Sequence, residues 1–229
     1  MRTLHWTLIT TACVLALAGC KKKPTEAETA AASTPPAATT PAPAQAPAAE
    51  PAELTDEQRR AAEKQARLDY ATMEDGYIND PKAQWASSAK ASSSFAEKQP
   101  KDDPKESRAW RTTGRIDGDT WSQAEQDIGL DWLELGYDKP VQATAVRAVF
   151  TSTEAVEALT KVELIDEAGA TQTVWSGVSA DKRDKRGDRT WLVKTFPKTA
   201  TKIKAVKLTF ANNVASGYKE VDAVQLVGE

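Results

Sequence analysis

Histidine and cysteine are almost missing from this chain. One histidine, His5, and two cysteines, Cys13 and Cys20, all fall within the first twenty of 229 residues. Beyond Cys20 there is therefore no set of His and Cys ligands for a zinc-type metal, no Ser-His-Asp triad and no Cys-His dyad. A single cysteine also leaves no partner for an intramolecular disulfide. Any enzymatic chemistry would have to come from carboxylate, Lys, Tyr or hydroxyl groups. Long apolar runs are missing too. The longest, residues 6–18, is roughly a dozen residues and too short for a bilayer hydrocarbon core of about 30 Å. Charge of one sign does not dominate, with 30 basic and 33 acidic side chains for a formal net charge of -3.

What is present begins with an export signal. Arg2 supplies a basic start, residues 6–18 an apolar middle, and small residues precede a cut site. The ending, Leu17-Ala18-Gly19-Cys20, resembles the lipobox of bacterial lipoproteins. That resemblance implies removal of residues 1–19, diacylation of Cys20 and attachment to a membrane through the lipid. An ordinary signal cut nearby, leaving Cys20 free, is the alternative. Removal of residues 1–19 takes away Arg2, His5 and Cys13, and the loss of one positive charge moves the net charge from -3 to -4. Two or three acyl chains hold far more firmly than one. Lys21, Lys22 and Lys23 follow the anchor and either meet anionic headgroups, at about 1 kcal/mol each, or are simply solvated. Lys21 in place of Asp after the cysteine resembles enterobacterial sorting to the outer membrane.

Residues 20–53 form a linker that is almost entirely Ala, Pro, Thr, Ser and Glu from residue 24 on, with no aromatic and no branched aliphatic side chain before Leu54. Such a segment buries too little apolar surface to offset ordering entropy and is expected to be disordered. Its prolines extend it toward polyproline II, at about 3.1 Å per residue, for a reach of roughly 100 Å. Residues 54–82 form a helical segment. Thr55-Asp56-Glu57-Gln58 has capping-box spacing, and residues 56–74 are rich in good helix formers. Their apolar face is thin, which predicts a stalk, or a lid on the domain after it, rather than a core helix.

From residue 83 to 229 the pattern changes. All six tryptophans outside the leader lie here. Short alternating runs put Leu133, Leu135 and Tyr137 on one face, then Val146, Ala148 and Phe150, Val162 and Leu164, Val206, Leu208 and Phe210, and Val224 and Leu226. Residues 171–175 read as the return strand of a hairpin after the turn at 166–169. With no long amphipathic helix among them, these strands predict an all-β, antiparallel β-sandwich.

Four stretches carry a family resemblance. Residues 85–94 (WASSAKASSS), the segment Asp117-Gly118-Asp119-Thr120-Trp121, the strand beginning Trp132-Leu133-Glu134-Leu135, and residues 217–228 (GYKEVDAVQLVG) resemble, in this order and spacing, the discoidin-like domains (coagulation factor 5/8 type C, galactose-binding-like fold). The resemblance implies a jelly-roll sandwich that binds sugars, lipids or proteins through loops at one end. The chain departs from that pattern in the charged stretch 100–108 and in lacking the bracketing cysteines of the animal members.

By the same resemblance, Asp117, Asp119, Thr120 and Glu220 match positions that hold a structural Ca²⁺ in sugar-binding relatives, and their oxygens suit a hard cation. The alternative is that Asp117-Gly118 only turns the chain. Trp110 and Trp121 are candidates for a sugar-stacking platform; core packing competes, and is the stronger role for Trp121. Arg111 and Arg115 are candidate donors to hydroxyls or carboxylates. Residues 181–189 mix five basic with three acidic side chains, which is not the predominantly basic face of a nucleic-acid binder. Their Arg186-Gly187-Asp188 matches the integrin-read tripeptide, a short match that a solvated loop accounts for. Three functions follow, in descending order: a lipid-anchored binding module for cell-envelope glycan, a module that docks an envelope protein, and a carboxylate-based glycosidase.

Overall fold

The computed structural model describes residues 54–95, 108–151 and 155–229. The leader, Cys20, the linker and most of the charged stretch lie outside the described residues. The described residues belong to one compact unit, Ala52–Glu229.

Helix α1 spans Asp56–Ile78. Its start is the capping box read from the sequence: Gln58 N donates to Thr55 Oγ1 at 3.3 Å, and Thr55 N donates to Gln58 Oε1 at 2.9 Å. The helix runs a turn past residue 74, through Asp75-Gly76. Tertiary contacts carry that last turn where propensity is weak, because the Tyr77 ring lies 5.2 Å from the Trp191 ring and 4.4 Å beneath the Arg147 guanidinium.

Among the described residues nine strands follow: β1 (Ala83–Trp85), β2 (Ser88–Ala91), β3 (Leu130–Val141), β4 (Ala143–Phe150), β5 (Leu159–Asp166), β6 (Thr171–Ser176), β7 (Thr190–Thr195), β8 (Ile203–Ala211) and β9 (Val221–Gly228). They make two antiparallel sheets, β1-β9-β4-β7 and β2-β3-β8-β5-β6. The chain passes from one sheet to the other at six of the eight connections, which is the winding of a jelly roll. The alternation seen in the sequence points inward as expected. Leu133, Leu135, Val146, Ala148, Phe150, Val162, Leu164, Val206, Leu208, Phe210, Val224 and Leu226 share one buried cluster. The β5–β6 hairpin closes with Ala170 N donating to Asp166 Oδ1 at 2.8 Å and Gly169 at φ 87°, a left-handed conformation that glycine adopts without a Cβ clash.

Strand β9 departs from simple alternation: all eight of its residues are buried. One face enters the core, and α1 helps cover the other, where Gln225 Nε2 donates to Tyr77 O at 2.9 Å. The helix is held there by polar bonds that replace the missing apolar face. Tyr70 Oη donates to Arg189 O at 2.9 Å, and Glu74 Oε1 accepts from Arg189 Nη1 at 3.0 Å and Trp191 Nε1 at 3.1 Å. Arg147 Nη2 donates to Asp80 Oδ2 at 2.8 Å just past the helix end. Of the two roles expected for α1, these contacts are those of a lid. No helix among the described residues is long and apolar enough to cross a membrane.

Candidate functional site

The register of the strands collects the long connections at one end of the sandwich. Strand β2 stops at Ala91, opposite Leu133 near the start of β3, and β8 stops at Ala211, opposite Leu130. Phe150 at the end of β4 faces the start of both β7 and β9. The β2–β3, β4–β5, β6–β7 and β8–β9 connections therefore leave from the same end.

Buried polar side chains fasten these loops together. Asn212 Nδ2 donates to Ile128 O at 3.0 Å and to Asp131 Oδ2 at 2.7 Å, and Asp131 Oδ1 also accepts from Ser92 Oγ and Ser93 Oγ. Gln123, fully buried, accepts from Lys219 N at 2.8 Å and donates to Gly217 O at 3.3 Å. Asp222 is 1% exposed and accepts from Asp117 N at 3.3 Å and Gly118 N at 3.1 Å. Burial raises the Asp222 pKa above the ordinary carboxylate value, and the two amides oppose that rise only in part. Sequence reasoning passed over Asn212, Gln123 and Asp222 as functional scaffolding. Their signal was a polar residue set among apolar strand or loop residues, as in Val221-Asp222-Ala223.

On this frame the candidate residues separate. Trp110 stands on a single 3₁₀ turn, Ala109–Thr112, and is 55% exposed. Its carbonyl is capped by Thr113, whose amide and hydroxyl donate at 3.0 and 2.6 Å. The Arg111 guanidinium lies 5.2 Å from the centre of the Trp110 ring, and Arg111 Nη1 meets Asp119 Oδ2 at 2.6 Å. Trp110, Arg111 and Asp119 are thus brought together. Arg115 lies exposed further along the same loop and makes no ion pair among the described residues.

Trp121, offered as a ligand-binding candidate with core packing as its stronger role, takes the core role and not the ligand-binding one: it is fully buried, 5.8 Å from the Phe210 ring, with its ring N–H donating to Ser93 O at 3.0 Å. A backbone bridge to Val221 pulls this residue into the sandwich, so its ring has no free face for a ligand.

The four residues matched to a calcium position do not fit a cation together. The Asp117 carboxylate accepts from Asp119 N at 2.8 Å, Asp119 is paired with Arg111, and Glu220 accepts from Thr151 Oγ1 at 3.2 Å. Thr120 sits beside them, half buried. Among the described residues no three acidic, His or Cys side chains converge as a metal-ligand set.

No family model matches the chain, and no curated protein does. Solved structures do. The chain is similar to a family 32 carbohydrate-binding module of NanJ from Clostridium perfringens, solved in complex with galactose, at 13% identity over 65% of this chain and 96% of that one, with a TM-score of 0.45. It is similar to a fucose-binding module from Streptococcus pneumoniae at 14% identity, over 63% and 93%, TM-score 0.41. It is also similar to an F5/8 type C domain from Bacteroides fragilis at 17% identity, over 63% and 97%, TM-score 0.45. The last carries the family description that the sequence motifs resemble.

The loop end has a second character besides Trp110. Of the eight large apolar side chains exposed among the described residues, six lie on its loops or strand starts: Phe95, Trp110, Ile128, Leu130, Val178 and Val214. Phe95 packs edge-on against Tyr218 at 4.8 Å. Because Asn212 ties residue 128 to the β8–β9 loop, Ile128, Leu130 and Val214 are carried by segments bonded to one another. The end of the sandwich offers ring and aliphatic surface for contact, with Arg111 and Asp119 as adjacent polar groups.

Proposed function

We propose that this chain is a lipoprotein that presents its β-sandwich as a binding module for cell-envelope carbohydrate. The observation that carries this reading is Trp110, an exposed indole with the Arg111 guanidinium over one face of its ring and Arg111 itself fixed by Asp119. The apolar C–H face of a sugar ring stacks on such an indole. The bracing matters because a side chain already ordered loses less entropy on binding. Arg115, exposed on the same loop, extends the polar rim for hydroxyl or carboxylate groups.

The anchoring half of the reading rests on the lipobox-like Leu17-Ala18-Gly19-Cys20. Lipid on Cys20 would hold the chain at the outer membrane, and the Pro/Ala linker would set the module some distance from it. The module itself does the recognition and leaves the glycan uncut.

The test is an array of bacterial and host glycans, including peptidoglycan fragments, probed with the purified chain. A reproducible hit that Trp110→Ala abolishes supports the reading and locates the site. A hit that survives Trp110→Ala refutes the site, and a blank array refutes the carbohydrate reading. The exposed apolar side chains Phe95, Ile128, Leu130 and Val214 on the same loops favour a second reading, protein docking by that end, since exposed apolar surface beyond the ordinary marks contact sites. Crosslinking in intact cells, with loss of the crosslink on Ile128→Asp, would favour that reading.

A further inference from the structure

A cleft of about 310 Å³ opens between α1 and the loop that leads into β7. This is the small end of the usual range for small-molecule sites, about 300–1,000 Å³. It shares no lining residue with the Trp110 cluster. Its cations are Arg67 on the helix and Lys185, Arg186 and Arg189 on the loop, against the carboxylates of Glu74 and Asp188. A local excess of positive charge is unexpected in a chain whose net charge is -3.

The excess is not consumed internally. Glu74 is committed to Arg189 and to the Trp191 ring N–H. Arg186 is committed to Asp184 at 2.7 Å, and that contact holds the Asp184 carboxyl below the ordinary value. Arg67 and Lys185 make no ion pair among the described residues, and both face the same space.

The cleft is also held in shape, unlike a solvated loop. Tyr70 is 5% exposed and wedges its ring over Gly187, where a Cβ would collide with it. The Tyr70 hydroxyl donates to Arg189 O, which pins the backbone of residues 187–189 to the helix. Asp184 N donates to Thr190 Oγ1 at 3.0 Å and closes the base of the loop. Two uncommitted cations thus line one cleft on two elements that are bonded together between them.

We infer that this cleft binds an anionic group, a carboxylate or a phosphate on a larger polar ligand, between Arg67 and Lys185. Arg67 offers a planar fork for a pair of oxygens and Lys185 a point charge. Asp188 at the rim accepts from hydroxyl or ammonium groups of the same ligand. The inference stands whether or not the loop end binds sugar.

Isothermal titration calorimetry of the full chain with inorganic phosphate and, separately, glucuronate tests it, with galactose as the uncharged control. Saturable one-site binding of either anion is expected, weakening as salt rises. Phosphate alone, or glucuronate alone, identifies which oxyanion the ligand carries. The double charge reversal Arg67→Glu, Lys185→Glu is expected to weaken binding at least roughly tenfold. Trp110→Ala is expected to leave it unchanged, which separates this site from the sugar reading. Both reversed side chains are surface groups without ion pairs, so the melting temperature should hold. If the double variant unfolds, Arg67→Gln and Lys185→Gln singly, each expected to weaken binding severalfold, decide the matter. Absence of binding by both anions, anion binding unchanged in the variants, or anion binding lost in Trp110→Ala would overturn the inference.

Discussion

At the scale of the residue, two tryptophans eleven positions apart have opposite fates. Trp110 stands in solvent on a single turn, whereas Trp121 fills the core against Phe210. Truncating each should separate them. Trp121→Ala removes a large buried ring and leaves a cavity, at a cost of about 3–5 kcal/mol. Trp110→Ala should stay within about 0.5 kcal/mol of wild type, as surface substitutions do. Urea denaturation of the two variants measures both, and equal destabilisation would mean that Trp110 is structural. The sequence favoured the core for Trp121 and left Trp110 evenly open between stacking and packing. What sorts them is the pairing of Trp121 with Val221, a contact across a hundred residues that no local pattern carries. The calcium positions depend on distant context in a related way. The resemblance proposes oxygen-bearing residues, but whether carboxylates converge depends on which amides and guanidinia claim them first.

At the scale of the element, strands were legible and the helix only in part. Alternation at Leu133-Leu135-Tyr137 and its counterparts survives because each strand has one core face, and a one-residue slip would expose it. Strand β9 hides this rule by being covered on both sides. The capping box announced the start of α1, but its docking was invisible, since Tyr70, Glu74 and Tyr77 meet residues more than a hundred positions away. The joint where α1 ends makes a pH prediction. Burial pushes the Asp80 carboxyl up, yet the Lys82 amide and the Arg147 guanidinium together bring it below the ordinary value of 3.8. A carboxyl depressed in the folded state adds stability at pH values above its unfolded pKa, and that stability is lost as pH falls through the folded value. Asp80→Asn should therefore cost about 1–3 kcal/mol near neutral pH. The gap to wild type should close in acid, below the ordinary carboxylate range. Melting curves across that range check it; a gap constant with pH would assign the loss to geometry rather than charge.

At the scale of the whole molecule, the proposed recognition surface and the proposed anchor occupy separate stretches of chain. The sandwich and its lid form one unit, Ala52–Glu229, and the loops at one end carry the contact surface. Calcium bears on that unit. A cation that binds only the native state raises its melting temperature. Because the carboxylates of Asp117, Asp119 and Glu220 are individually engaged, millimolar Ca²⁺ and a chelator should give the same melting temperature. A rise of several degrees with Ca²⁺ would require another ligand set, backbone carbonyls included.

Anchoring makes the last prediction, and it is independent of everything the sandwich does. If lipid is attached to Cys20, the wild-type chain should take up labelled palmitate in growing cells and fractionate with the outer membrane. Cys20→Ser removes the thiol that carries the acyl chains, and no other cysteine remains beyond the leader. Label should therefore fall to background rather than to a fraction, because a single chemical group carries the whole signal. The melting temperature of the Ala52–Glu229 unit should not move, since Cys20 lies outside it. Glycan binding in solution should persist for the same reason. Loss of label with intact binding would show that the leader and linker deliver a module that recognises its ligand unaided. Label that persists in Cys20→Ser would place the lipid elsewhere and remove the basis for outer-membrane attachment.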